Sequence, residues 1–167
     1  MRSLASAIPF GSEILAIALI PLESSDELNV LHVKSVLQMV AEHFLPPEPT
    51  MPTTKLGAAD FSQMLALVDI ARPGPLGSRA MELGDFYGLF DGDKLVALAG
   101  ERLRLEGYTE IATVCTHPDY RGRGYAKAVV SAVAGKVVAS GSTPFLGVDD
   151  GNRREQSVRV RRLLRGP

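Results

Sequence analysis

The sequence lacks tryptophan and has one cysteine, Cys115, among its 167 residues. A single cysteine excludes an internal disulfide and a cysteine-based metal cluster, and it fits a reducing compartment. The histidines, His32, His43 and His117, lie far apart in the sequence without the spacing of metal ligands. We therefore expect no metal site and a cytoplasmic protein.

Long apolar runs are also scarce, although apolar residues make up 46% of the chain and aromatic residues 6%. These proportions predict an aliphatic core. The run EILAIALIPL at 13–22 is far shorter than the roughly 20 residues of a transmembrane helix. No small-residue cleavage site follows it, which argues against a signal peptide. We interpret it as a buried strand ending at Pro21, and we expect no membrane partner.

The net charge is only −1, so there is no global attraction to nucleic acid or anionic membranes. The distribution is uneven. Residues 1–152 hold twelve Lys and Arg against eighteen Asp and Glu, whereas residues 153–167 hold six Arg against one Glu. A nucleic-acid function using Arg121, Arg123 and this tail is one hypothesis, but the acidic body and the few aromatic residues argue against it.

The proline-rich stretch FLPPEPTMPTT at 44–54 is the clearest boundary, because four prolines favour extended or turn-like backbone. We predict three parts. Residues 1–48 form short strands that pack on or extend the sheet, residues 49–152 form the core, and residues 153–167 form an atypical basic tail.

The core begins with a short strand, TTKLG, and a helix, ADFSQMLALVDIARPGP. Asp60 is the predicted N-cap, with Gln63 three residues later as in a capping box. Pro73 and the residues after it end the helix. Its predicted apolar face, at helical spacing, comprises Phe61, Met64, Leu65 and Val68.

Three strand-like runs joined by tight turns follow, and they predict an antiparallel meander. They are FYGLF (86–90), KLVALAGERLRL (94–105) and YTEIATVCTH (108–117). An Ala/Val-rich helix at 122–141, with Gly141 just after its end, and a strand at 143–149 complete the order. This order predicts an α/β (α+β) fold with a mixed, mostly antiparallel sheet flanked by helices.

The segment THPDYRGRGYA at 116–126 joins the last strand of the meander to the long helix. A helix N-terminus presents unpaired N–H groups and the positive end of the helix dipole. Glycines allow an anion to approach these groups, and Arg121 and Arg123 add positive charge. From the residues alone, two interpretations stay open: a tight strand-to-helix connection, and a diphosphate-binding turn.

The string VCTHPDYRGRGYA resembles the acetyl-CoA signature of the GNAT superfamily of N-acetyltransferases, Gln/Arg-x-x-Gly-x-Gly/Ala on a strand-turn-helix. Arg121, Gly124 and Ala126 fill the defined positions. The resemblance covers roughly residues 53–152, and the run beginning ELGDFYGLFDGDKLVALAGERL looks most like the branch of amino-acid N-acyltransferases. It implies a GNAT fold and direct transfer of an acetyl group from acetyl-CoA, or a related acyl-CoA, to a primary amine of a small molecule or amino acid.

The resemblance also implies a set of cofactor contacts. Turn amides would bind the CoA diphosphate, a splayed strand end would bind the pantetheine arm and the acetyl carbonyl, and an Asn after the last strand would contact the cofactor. The implied residues are Val114, Cys115, Thr116, Arg121, Gly122, Arg123, Gly124, Tyr125, Ala126 and Asn152. Cys115 is then a strand residue beside the thioester rather than a nucleophile, because no His or Asp has a suitable spacing.

Glu110 is the candidate general base, eleven residues before Arg121, a spacing that some members of the superfamily use. Strict alternation would place Glu110, Ala112, Val114 and Thr116 on one face of the strand, so that Glu110 points to the acetyl end. The alternative is a solvent-facing Glu in a cross-strand pair. Glu101 is a weaker candidate.

After Asn152 the sequence departs from the superfamily, since no Tyr, no Gly-Phe pair and no closing hairpin follow. We therefore expect the C-terminal strands to be missing. Their loss would expose a sheet edge, which predicts a homodimer or another partner that covers it. The alternative function is a CoA-binding module with little or no turnover.

Overall fold

The computed structural model describes residues 9, 11–12, 24, 26–27, 29–31, 36–45, 47 and 51–149. The chain divides into two compact units, residues 1–35 and 36–167. In the first unit, Val30 N–H donates a hydrogen bond to the Ser24 hydroxyl. The strand predicted at 13–22, Asn152 and the basic tail lie outside the described residues, and the domain boundaries at 48 and 152 stay predictions.

The described part of the second unit forms one six-stranded sheet with helices. The strands are β1 (Val36–Val40), β2 (Thr54–Lys55), β3 (Phe86–Asp91), β4 (Lys94–Leu105), β5 (Tyr108–Thr116) and β6 (Thr143–Asp149). The helices are α1 (Phe61–Ala71), α2 (Ala80–Leu83) and α3 (Tyr125–Ala139). The order across the sheet is β1-β6-β5-β4-β3-β2, and among these described strands only β5 and β6 pair in parallel. The predicted mixed, mostly antiparallel sheet is confirmed.

Each face of the sheet is covered by a different helix. On one face, buried side chains of α3 pack on the central strands: Val129, Val133, Ala134 and Val137 against Tyr87, Ala99 and Ile111. On the other, buried side chains of α1 do the same: Met64, Leu67 and Val68 against Leu56, Leu98 and Cys115. Each fully buried aliphatic side chain contributes about 1.5–3 kcal/mol, so these two clusters hold the helices on the sheet.

The start of α1 differs from the predicted capping box. A 3₁₀ turn, Ala58–Asp60, precedes the helix, and the Asp60 carboxylate accepts a hydrogen bond from Gly57 N–H at 2.8 Å. Gln63 Oε1 accepts instead from Leu95 N–H of β4 at 3.0 Å. The capping box is therefore wrong, because Asp60 already has helical backbone angles and its side chain closes the preceding turn.

The predicted apolar face of α1 also needs one correction. Leu65 is 37% exposed, whereas Leu67 is buried beside Met64 and Val68. A face centred one residue further round the helix explains this difference, since positions 64, 67 and 68 follow the same i, i+3, i+4 spacing.

A bulge interrupts β5. Between neighbouring paired positions the register advances by two residues on β4 but by three on β5. Thr113 lies in this interval with φ of 54°, a left-handed value that is uncommon outside glycine. Ile111 and Val114, three residues apart, therefore both pack toward α3. The prediction that Glu110 and Val114 share a strand face is wrong, because strict alternation does not continue through the bulge.

Strand β1 covers the outer edge of β6. Its five residues pair antiparallel with β6, from Val36 opposite Asp149 to Val40 opposite Phe145. In the described sheet the edge on this side is therefore formed by β1 and not by β6. The expected exposed edge and the homodimer that would cover it stay untested predictions.

Replacing Gly100 by Ala should destabilise the core, because the added Cβ would overlap the ring of Phe86. Overpacking of this kind costs about 1–3 kcal/mol. Gly77→Ala is the control, since its Cβ would meet no atom within 4 Å. Urea unfolding monitored by circular dichroism should show a lower midpoint for Gly100→Ala only. Equal midpoints for the two variants would contradict this packing.

Candidate active site

The connection between β5 and α3 contains two glycines in left-handed conformations. After a 3₁₀ turn, Pro118–Tyr120, the chain passes through Gly122 (φ 80°) and Gly124 (φ 82°) before α3 begins at Tyr125. These angles favour glycine because a Cβ would clash with the backbone. Gly124 is the N-cap residue of α3, so no cap side chain competes for the first N–H groups of the helix.

The N–H groups of residues 122–127, which we call the amide turn, are open. The first hydrogen bond donated from within α3 is that of Ala128 N–H to the Gly124 carbonyl, at 3.1 Å. In the described part of the chain, none of the N–H groups of the amide turn donates a hydrogen bond. Six consecutive donors at the positive end of a helix dipole form a site that suits a phosphate or diphosphate.

The two arginines of the turn have different environments. The Arg123 guanidinium lies 4.9 Å from the centre of the Tyr120 ring and donates to the Asp119 carbonyl at 3.2 Å. Arg121 has no ion pair or hydrogen bond from its side chain to any described residue. Arg123 therefore stabilises the turn, whereas Arg121 is available to an anion bound there.

Tyr120 ties the turn to the neighbouring hairpin. Its hydroxyl donates to Asp91 Oδ2 at 2.7 Å, across 29 residues of sequence. This hydrogen bond raises the pKa of Tyr120 above its usual value, with burial adding to the effect. The segment that leads into the amide turn is thus held against the β3–β4 hairpin.

A gap opens between β5 and β6, which we call the β5–β6 gap. The two strands pair over only three positions, from Tyr108 opposite Thr143 to Glu110 opposite Phe145. Beyond Glu110, β5 pairs only with β4, and β6 pairs only with β1, within the described residues. The strand end at 114–116, where the sequence predicted cofactor contacts, borders this gap and leads into the amide turn.

Thr116 carries a polar atom without a partner. Its Oγ1 is buried and has no hydrogen bond to any part of the chain that the structure describes. A buried hydroxyl left unsatisfied costs about 1–3 kcal/mol, so such an atom at the mouth of a gap fits a ligand with polar groups. The open amides, the gap and this hydroxyl together fit a CoA-type molecule, with its diphosphate on the amide turn and its extended arm between the strands.

Cys115 is oriented away from this chemistry. Its side chain is buried in the cluster that packs against α1, and burial raises the pKa of the thiol to about 12. Almost no thiolate exists at neutral pH when the pKa is so high, and the thiolate is the nucleophilic form. A covalent acyl intermediate on Cys115 is therefore disfavoured.

Glu110 lies where the gap begins, and its carboxylate is paired. Its two oxygens accept hydrogen bonds from Nε and Nη2 of Arg102 at 2.9 and 2.6 Å. The Glu110 side chain is only 4% exposed, against 37% for Arg102, and the pair raises the pKa of Arg102. Glu110 thus forms the cross-strand pair of the alternative interpretation, but it is buried and does not face solvent.

Glu101, the weaker candidate, is also buried and paired. Its Oε2 accepts hydrogen bonds from Arg104, at 3.1 Å from Nε. In register it lies opposite Ile111, on the strand that does not border the gap. Sequence patterns missed both arginine partners. Irregular pairing of β4 with β5 brings Arg102 to Glu110, whereas Arg104 contacts Glu101 three residues earlier on the same strand.

The described residues contain no group of three or more His, Cys, Asp or Glu side chains that could hold a metal ion. Of the helices that the structure describes, none is long and apolar enough to cross a membrane.

Comparison with known proteins shows similarity to acetyltransferases. Residues 86–160 match the model of the FR47-like protein family. The solved structure of a GNAT-family protein from Novosphingobium aromaticivorans, assigned as an acetyltransferase, is 35% identical with a TM-score of 0.71. The alignment covers 80% of this chain and 63% of that chain. No curated protein sequence matches the chain.

Two more distant structures share the fold. A GNAT-family acetyltransferase from Colwellia psychrerythraea is 17% identical with a TM-score of 0.63, over 75% of this chain and 50% of that chain. The ribosomal-protein-S18-alanine N-acetyltransferase of Escherichia coli is 17% identical with a TM-score of 0.55, over 64% and 72%. The chain thus spans less than two thirds of the length of the first two of these relatives.

The Cys115 thiol should be almost unreactive in the folded protein. We expect Ellman's reagent at pH 8 to modify it at least 100-fold more slowly than in the urea-unfolded chain, because a pKa of about 12 leaves little thiolate. The unfolded chain is the internal control, since it holds the same single thiol. Equal rates would show that the thiol is not buried as described.

Proposed function

Because the chain belongs to the GNAT superfamily of acetyltransferases, we propose that it transfers an acyl group from acetyl-CoA, or a related acyl-CoA, directly to a primary amine. The acceptor class is a small molecule or an amino acid. The observation that carries the proposal is the amide turn, with its open N–H groups at the mouth of the β5–β6 gap.

In this proposal the N–H groups of residues 122–126 bind the CoA diphosphate, and Arg121 adds a positive charge. The pantetheine arm lies in the β5–β6 gap along the strand end at 114–116. Its polar groups bond to backbone groups there and to the Thr116 hydroxyl, which has no partner among the described residues. Asn152, the remaining predicted contact, lies outside the described residues.

The thioester supplies an activated acyl group, and the protein must provide proton transfer and polarisation. Glu110 is the proposed base for the acceptor ammonium, because it is the buried carboxylate at the vertex of the gap. Backbone N–H groups of β5 that border the gap are suited to polarise the acyl carbonyl. Because Arg102 occupies both oxygens, Glu110 accepts a proton only when one of these hydrogen bonds yields to the amine.

That same pairing favours a second candidate function, a CoA-binding module with little or no turnover. A carboxylate fully engaged by a guanidinium can serve as structure alone. The two candidates share the cofactor site and differ only in transfer. We also propose a cytoplasmic location, in keeping with the single unpaired cysteine.

Gly124→Ala should weaken acetyl-CoA binding at least tenfold, about 1.4 kcal/mol, because Ala at φ 82° must shift the turn that aims the N–H groups. Gly141→Ala is a matched control at the other end of α3. It has φ of 80° and open space around the added Cβ, so it carries the same strain away from the site. Titration calorimetry should find wild-type affinity for Gly141→Ala. Equal losses in both variants, or no binding by the wild type, would reject the cofactor site.

Thiol release with acetyl-CoA and a panel of primary amines separates the two candidate functions. The transferase predicts turnover with at least one amine, and a decrease in kcat of at least about 100-fold for Glu110→Gln with acetyl-CoA affinity unchanged. Tight cofactor binding without turnover on any amine would favour the binding module. A Glu110→Gln rate equal to wild type from pH 6 to pH 9 would exclude Glu110 as the base.

A further inference from the structure

We propose that Arg102 is a positioning residue that holds the Glu110 carboxylate in its charged form at the vertex of the β5–β6 gap. The geometry of the pair supports this inference, and its effect on catalysis rests on the proposed transferase function. Arg102 makes two hydrogen bonds to Glu110, one to each oxygen. Such a bidentate pair fixes the orientation of a carboxylate as well as its charge.

A second bulge, in β4, explains why Arg102 reaches Glu110. Glu101 lies opposite Ile111, and Arg104 lies opposite Thr109, so β4 has two residues where β5 has only Glu110. Bulges commonly re-aim a side chain, and they are frequent beside active sites. The bulge of β4 therefore lies opposite Glu110, and the bulge at Thr113 lies three residues further along β5.

The buried Glu110 carboxylate has one cation as its charged partner within the described residues. Within the described residues, Arg102 is the only charged group that contacts the Glu110 carboxylate. Phe145 is its neighbour on β6, and the buried side chains of α1 and α3 are all apolar. The other buried carboxylate, Glu101, pairs with Arg104. A buried carboxylate without a cation favours the protonated form, which cannot accept a proton from an ammonium.

The exposure of Arg102 allows the pair to open without a large penalty. Its side chain is 37% exposed, so water can replace a hydrogen bond that Glu110 gives up. Its Nη1 has no hydrogen bond to a described residue. The carboxylate can then turn one oxygen to the acceptor amine while the other stays bonded to the guanidinium.

The first test compares Arg102→Leu, Arg102→Lys and Arg104→Leu in the pH dependence of kcat. Arg104 is the matched control, because it lies on β4 like Arg102 and pairs with the other buried carboxylate, Glu101. We expect Arg102→Leu to lower kcat at pH 7 at least tenfold and to move the acid limb of the profile to higher pH. Arg102→Lys should restore part of the rate, Arg104→Leu should keep the wild-type profile, and all should bind acetyl-CoA with wild-type affinity.

An unchanged profile in Arg102→Leu would overturn the inference, as would the same change in Arg104→Leu. Loss of acetyl-CoA binding in Arg102→Leu would overturn it too, because Arg102 would then act on the cofactor. If Arg102→Leu does not fold, Arg102→Gln takes its place in the same comparison.

The second test does not require turnover, so it separates failure of the inference from failure of the transferase proposal. Glutamate in an unfolded chain ionises above a pH of about 4.3. Folding Arg102→Leu at higher pH must then bury a lone charge or take up a proton, and this cost disappears at low pH. Urea unfolding should therefore show a larger loss of stability, relative to wild type, at pH 8 than at pH 4. The double variant Arg102→Leu/Glu110→Gln should lose this pH dependence. Equal losses at both pH values would overturn the inference even if no amine is acetylated.

Discussion

The early end of pairing between β5 and β6 is the constraint on which the candidate site depends. Parallel strands normally continue to satisfy each other's backbone groups, but these two part after Glu110 and Phe145. The separation leaves one side of β5 open along a gap that leads to the amide turn. A ligand with a diphosphate and an extended arm that carries amides matches both parts.

Strand β1 makes this separation tolerable. Because β6 pairs with β1 over five positions, β6 remains a central strand although β5 leaves it. On the other side of the gap, the core clusters on both faces hold β3, β4 and β5 together through side-chain packing. The gap thus lies between two well-paired parts of one sheet. At the vertex of the gap is the only parallel pairing of the described sheet.

Local signals in the sequence were enough to predict α1, α3, β3 to β6 and the turn before α3, but neither α2 nor the irregular pairing. The turn residues after Phe90 and Leu105 fix the meander, and Gly122 and Gly124 mark the turn before α3. The bulge at Thr113 is not visible in sequence, because threonine gives no signal for a left-handed angle. Nor is the pairing of β1 with β6, or of Arg102 with Glu110, since each depends on register between segments and not on local propensity.

The central claim is that the N–H groups of residues 122–126 bind the CoA diphosphate. The most direct measurement is the ¹⁵N–¹H spectrum of the assigned protein during titration with acetyl-CoA. The account predicts that the largest shifts occur at the amides of the turn and along the strand end at 114–116, with little change in β2 and β3. Saturable binding that leaves the turn amides unmoved, or no binding at millimolar acetyl-CoA, would contradict it.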